Sequence, residues 1–83
     1  MGTKIMIYTL STCSHCNACK KFLNSHEVRY DYVDVDTLKG DNRQEVLDEV
    51  RQYNPGLSFP TILIGDRVII GFREDEIREA LGL

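Results

Sequence analysis

Ile5-Met6-Ile7-Tyr8-Thr9-Leu10 leads through Ser11-Thr12 into Cys13-Ser14-His15-Cys16-Asn17-Ala18-Cys19. The first six residues are a short apolar, β-prone run and predict a buried strand. Ser11-Thr12-Cys13-Ser14 is a polar turn. From Cys16 to Ser25 the pattern becomes helical. Cys19, Phe22 and Leu23 share one side, and Lys20, Lys21 and Asn24 fall on a solvated face. Cys13 therefore lies at the carboxyl end of a strand, just before a helix. Open α/β sheets carry their functional groups at that edge.

Arg29 to Asp34 reads as a second strand, with Tyr30 and Tyr32 on one face and Asp31 and Val33 on the other. Gly40-Asp41-Asn42 breaks the chain, and Asp41 with Gln44 resembles a capping box. Val46, Leu47, Val50 and Tyr53 then recur at helical spacing until Asn54-Pro55-Gly56 stops the helix. Pro60 to Ile64 and Arg67 to Ile70 are two more strands joined by a tight Gly65-Asp66 turn. Gly71-Phe72 leads to a last helix from Glu74 to Leu81, with Ile77, Ala80 and Leu81 inward. The predicted class is α/β, in the order βαβαββα. A parallel, right-handed βαβ unit joined to an antiparallel hairpin gives a four-stranded mixed sheet with three helices.

With 83 residues, residues 1–83 make one domain with one small core. A chain this short buries only roughly 60% of its unfolded surface, so a functional site belongs at its rim. The net charge of −3 lacks the concentrated basic face that nucleic acid demands. No apolar run approaches the roughly 18 residues of a membrane span, and no signal segment is legible. Met1-Gly2 fails as a myristoylation opening because Met6 stands where Ser or Thr is required. A monomer in the cytoplasm, without nucleic-acid or membrane partners, is expected.

The three cysteines lie within seven residues. Exported disulfide scaffolds spread an even number of cysteines to close long loops. This odd, tight cluster reads as intracellular redox or metal chemistry. In Cys13-x-x-Cys16 at a helix start, unpaired backbone N–H groups and the helix dipole favour an anion. Cysteine pKa values in such motifs fall to roughly 3.5–7.5 from about 8.5. Cys13 is the expected nucleophile and the more covered Cys16 the resolving thiol. A cationic His15 between them would tune the pair, favouring the thiolate and a less reducing couple. Cys19, three residues on, neighbours Cys16 on the helix. It reads first as a buried small hydrophobe. The alternative is a third redox or ligand cysteine in a metal or iron–sulfur module with Cys13 and Cys16.

Tyr8-Thr9-x-x-x-Cys13-x-x-Cys16, Ser58-Phe59-Pro60-Thr61 before a strand, and Gly71-Phe72 before the last helix together resemble the glutaredoxin-like proteins. The three motifs occur in order across nearly the whole chain. Ile70-Gly71-Phe72-Arg73 looks most like the NrdH-redoxin type. The resemblance implies a thioredoxin-like fold and thiol–disulfide oxidoreductase activity. It implies a cis peptide before Pro60, with the backbone of Phe59 pairing with an extended partner. Ser58, Phe59, Pro60, Gly71, Phe72 and Arg73 would then form the partner-binding rim, with Leu57 nearby. Glutathione-using relatives carry a lysine where this chain has Leu10, and an acidic residue near the position of Arg73. A charged tripeptide loses charge-assisted bonds there. The expected donor is therefore a thioredoxin-reductase-like protein, and the expected targets are protein disulfides such as that of ribonucleotide reductase. No cofactor is expected beyond the redox-active disulfide. A glutathione-dependent glutaredoxin is the alternative.

Overall fold

The computed structural model describes residues 3–83; the Met1-Gly2 opening lies outside them. Strand β1 (Ile5–Thr9) is followed by α1 (Ser14–Ser25), β2 (Asp31–Asp34), α2 (Gly40–Tyr53), β3 (Thr61–Ile64), β4 (Arg67–Ile70) and α3 (Glu74–Leu81). The sheet order is β2-β1-β3-β4. β1 runs parallel to β2, from Met6 opposite Asp31 to Thr9 opposite Asp34. It runs antiparallel to β3, with Ile5 opposite Ile64. The β3–β4 hairpin turns on Gly65 and Asp66, and Gly65 has φ +59°. A left-handed turn residue matches the twist of the two strands. This is the four-stranded mixed sheet with three helices that the sequence predicts.

Alternation along each strand divides the core into two halves. Ile5, Ile7, Ile62, Ile64 and Ile69 meet Cys19, Phe22 and Leu23 of α1 and Ile77 of α3 on one face. On the other face Tyr8 and Val35 pack against Val50 of α2, flanked by Met6, Val46, Leu47, Phe59 and Leu63. Fully burying each such aliphatic chain contributes about 1.5–3 kcal/mol, so the central strand β1 is held from both sides.

Several local expectations shift. β2 begins at Asp31 rather than Arg29, because the parallel ladder with β1 starts only at Met6. Tyr30 instead packs against the core from outside the strand, while Tyr32 is exposed. A 3-10 turn at Val35–Thr37, unseen in the sequence, follows β2 and buries Val35. The capping box does not form. The residue preceding α2 is Lys39, which makes no side-chain cap, and Asp41 lies inside the first turn. Gln44 donates forward to Asp48 instead. Asp41 still complements the helix dipole. Lys20 is not on a solvated face. Its ammonium lies 3.1 Å from the Asp34 carboxylate and 4.1 Å from the centre of the Tyr32 ring.

Candidate active site

Cys13 stands at the N-cap of α1 with extended backbone (φ −82°, ψ 118°). α1 therefore begins at Ser14, two residues before the periodicity places it. The Cys16 N–H donates to Cys13 Sγ at 3.3 Å. A helix-terminal N–H that would otherwise lack a partner is thus aimed at the first sulfur. Cys13 is half-buried and Cys16 fully buried, and both are free thiols. Burial pushes the Cys16 thiol up to about 12, and its hydrogen bond with Cys13 adds to the rise. Such a thiol stays protonated near neutral pH, and the two sulfurs also differ in access.

The turn carrying Cys13 is tied down from the end of β2 and the 3-10 turn after it. The Ser11 N–H and hydroxyl both donate to the Asp36 carboxylate, at 2.9 and 2.5 Å. Those bonds hold the Asp36 carboxyl below the usual carboxylate range. Thr9, buried at the end of β1, donates to Asp34, the carboxylate that also binds Lys20. Lys20 is thus engaged on Asp34.

A shallow cleft of about 310 Å³ is lined by His15, Phe59, Ile70, Gly71, Phe72 and Arg73. Five of the residues singled out in the sequence therefore meet in one place. His15 is exposed on the first turn of α1. Phe59 and Phe72 are both half-buried. Phe72 reaches the core through an edge contact with Phe22, ring centres 5.9 Å apart, so it serves as core and rim at once. Arg73 is exposed, and its guanidinium lies 3.3 Å from the Ile70 carbonyl and 3.4 Å from Glu76. The Phe59–Pro60 peptide is cis. The Gly71 N–H donates to the Pro60 carbonyl at 2.8 Å, joining the two motifs. Gly71 takes φ +89°, which suits glycine. Ser58 is exposed beside the cleft, and Pro60 is buried.

Cys19 departs from the pair. It is fully buried in the aliphatic cluster between α1 and the sheet, where burial pushes its thiol up to about 11. Among the described residues, no group of three or more Cys, His, Asp or Glu side chains converges to hold a metal ion. None of their helices is long and apolar enough to cross a membrane.

Asn54 was legible only as a helix stop, yet it organises this rim. Its buried side-chain amide donates to the Ser58 carbonyl, the Ser58 hydroxyl and the Thr61 hydroxyl, at 3.0, 2.9 and 3.1 Å. The available signal was an asparagine opening an Asn-Pro-Gly turn, a residue type that bonds its own local backbone.

A half-exposed sulfur capping a helix, a buried sulfur one turn on, and a cis-proline loop at the same sheet edge define a dithiol protein of thioredoxin-like fold. The glutaredoxin family model matches residues 5–69, and the chain belongs to that family. It is similar to the glutaredoxin of Methanosarcina mazei Go1, with 48% identity, 96% of this chain and 79% of that one covered, and a TM-score of 0.88. Methanosarcina acetivorans methanoredoxin is 42% identical, with 96% and 85% covered and a TM-score of 0.91. The NrdH-redoxin of Escherichia coli, a glutaredoxin-like protein described as having a thioredoxin-like activity profile, is 27% identical. There 92% of each chain is covered, with a TM-score of 0.75.

Proposed function

We propose that the chain is a thiol–disulfide oxidoreductase that carries two electrons through Cys13 and Cys16 to protein disulfides. The observation that carries this reading is the asymmetry of the pair. The Cys13 sulfur is reachable and accepts a helix-terminal N–H at 3.3 Å, while Cys16 is buried beneath it.

In the forward half-reaction the Cys13 thiolate attacks one sulfur of a target disulfide. An S–S bond to Cys13 forms, the target S–S bond breaks, and one target thiolate leaves. Cys16 then loses its proton to that thiolate or to solvent and attacks Cys13 Sγ. The second target thiol is released and the Cys13–Cys16 disulfide forms. The target gains two electrons and the dithiol loses two. Both the hydrogen bond to Cys13 and its charge help hold the Cys16 thiol up. Each ceases to act once Cys13 is in the mixed disulfide, so Cys16 ionises more readily at the step that needs it. Cys19, buried among aliphatic side chains, takes no part.

Phe59 and Phe72 offer an apolar rim for a polypeptide, and His15 lines the same cleft. Leu10, packed against the core, and Arg73 supply no lysine and no acidic group for glutathione. The reductant in this reading is a thioredoxin-reductase-like protein in the cytoplasm. A ribonucleotide reductase disulfide is among the targets. Similarity to an NrdH-redoxin with a thioredoxin-like activity profile supports that choice.

Insulin-disulfide reduction tests it, run with thioredoxin reductase and NADPH and separately with glutathione, its reductase and NADPH. Turnover is expected with the first donor and little with the second. Cys13→Ser should abolish it, and Cys16→Ser should accumulate a mixed disulfide visible by mass spectrometry. Absence of turnover with both donors, or full activity in Cys13→Ser, would overturn the reading.

A further inference from the structure

We infer that Asn54 is a positioning residue for partner recognition, holding the Ser58-Phe59-Pro60 segment in the shape that receives a target polypeptide. This rests on the dithiol-carrier reading above.

The loop after α2 has little regular structure to fix it. Asn54 closes α2 through its own N–H, which donates to the Val50 carbonyl at 2.7 Å, and its carbonyl accepts from the Leu57 N–H at 3.0 Å. Asn54-Pro55-Gly56-Leu57 is therefore a β-turn, with proline at the position that presets its φ. Leu57 then adopts φ +50°, a left-handed conformation that is costly for a leucine. From there the chain must run to Thr61 in β3 while keeping Phe59 at the cleft.

The side chain of Asn54 solves this. It is 4% exposed, and its amide group contacts three acceptors spread over Ser58 and Thr61. Thr61, fully buried, donates its hydroxyl to the same Ser58 carbonyl at 2.8 Å. Two buried side chains, one from the helix end and one from the strand, thus fix the Ser58 carbonyl immediately before Phe59. Asn54 is absent from the cleft lining and makes no hydrogen bond to either cysteine. Its effect on exchange has to pass through the segment it holds.

Such a role predicts a split between substrates. A protein disulfide that lies along the Phe59 backbone should feel the loss of this cluster. A small disulfide such as cystamine, which has no peptide backbone to pair, should not. Asn54→Asp keeps the shape and removes both amide donors. Thr61→Val keeps the volume and removes the hydroxyl. Losing a buried hydrogen bond of this kind changes an equilibrium by about tenfold. Each variant is expected to raise KM for insulin about tenfold with kcat changed less than about twofold. Cystamine turnover and the alkylation rate of Cys13 should stay at wild-type values.

Steady-state kinetics on both substrates, with circular dichroism to confirm the fold, decide the matter. Unchanged insulin KM in folded variants would overturn the inference, as would a parallel loss on insulin and cystamine. Loss of the native fold in both variants would assign the cluster to stability alone and overturn it too. Inactive wild-type protein would instead sink the carrier reading itself, so the two failures are distinguishable.

Discussion

Cys19→Ala should make the protein less stable at neutral pH and the more stable of the two in alkali. Cys19 is fully buried among Ile5, Ile7, Phe22, Leu23 and their neighbours. Removing one buried heavy atom there costs about 1 kcal/mol at neutral pH. The thiol is pushed from its ordinary 9.0 up to about 11 by burial, partly offset by the charge of Lys20. Below pH 9 the thiol is protonated in the folded and the unfolded chain, so it contributes no pH dependence. Between about 9 and 11 the unfolded chain releases the proton while the folded chain keeps it, and stability falls as pH rises. By about pH 10.5 this removes up to about 2 kcal/mol from the wild type and nothing from the variant. Cys16 is present in both proteins and largely cancels in the difference. Urea unfolding at pH 7.5, 9 and 10.5 with a non-thiol reductant reads the effect. The stability gap should shrink and change sign near pH 10. A gap constant across that range would refute the assignment of Cys19 to the core. So would labelling of Cys19 in the native protein at the rate of Cys13.

Other consequences are quicker to check. Glu27 follows α1 at φ +57°, with its N–H bonded to the Asn24 carbonyl and that of Val28 to the Leu23 carbonyl. Glu27→Gly should therefore stabilise the fold by about 1 kcal/mol. A lowered melting temperature would contradict this. Lys20→Met removes the partner 3.1 Å from Asp34, where both side chains are about one-fifth exposed, together with the contact on Tyr32. A loss of about 1–2 kcal/mol is expected, with insulin reduction by the folded protein unchanged. A fall in activity at constant fold would contradict a purely structural role for Lys20.

The elements that could be read from the sequence are those whose signals are local. β4 and α3 have the expected bounds because a two-residue Gly-Asp turn fixes the hairpin register and an amphipathic pattern ends at Gly82, which closes α3 at φ +73°. That Cys13 lies just before a helix followed from the strand and turn patterns, although the helical periodicity starts only at Cys16 and α1 begins at Ser14. The start of β2 was not legible, since Arg29 and Tyr30 have strand character but lie before the ladder with β1 begins at Met6. Lys20 looked solvated because helical periodicity does not reveal that β2 brings Asp34 and Tyr32 beside it. Asn54 was hidden for the same reason. A helix-stopping asparagine and a buried one are spelled alike, and only the return of the chain at Thr61 distinguishes them. The rim residues around Phe59 and Phe72 came from motif resemblance, because no periodicity joins two loops more than ten residues apart.

Site-resolved alkylation of the reduced native protein by iodoacetamide near neutral pH, followed by peptide mass spectrometry, addresses the nucleophile directly. One label per chain should appear on Cys13. Cys16 and Cys19, with thiols raised to about 12 and 11, should lag by about a hundredfold or more in thiolate fraction behind an ordinary cysteine. Label on Cys16 first, or spread evenly over the three sulfurs, would show that the capping sulfur is not the reactive one.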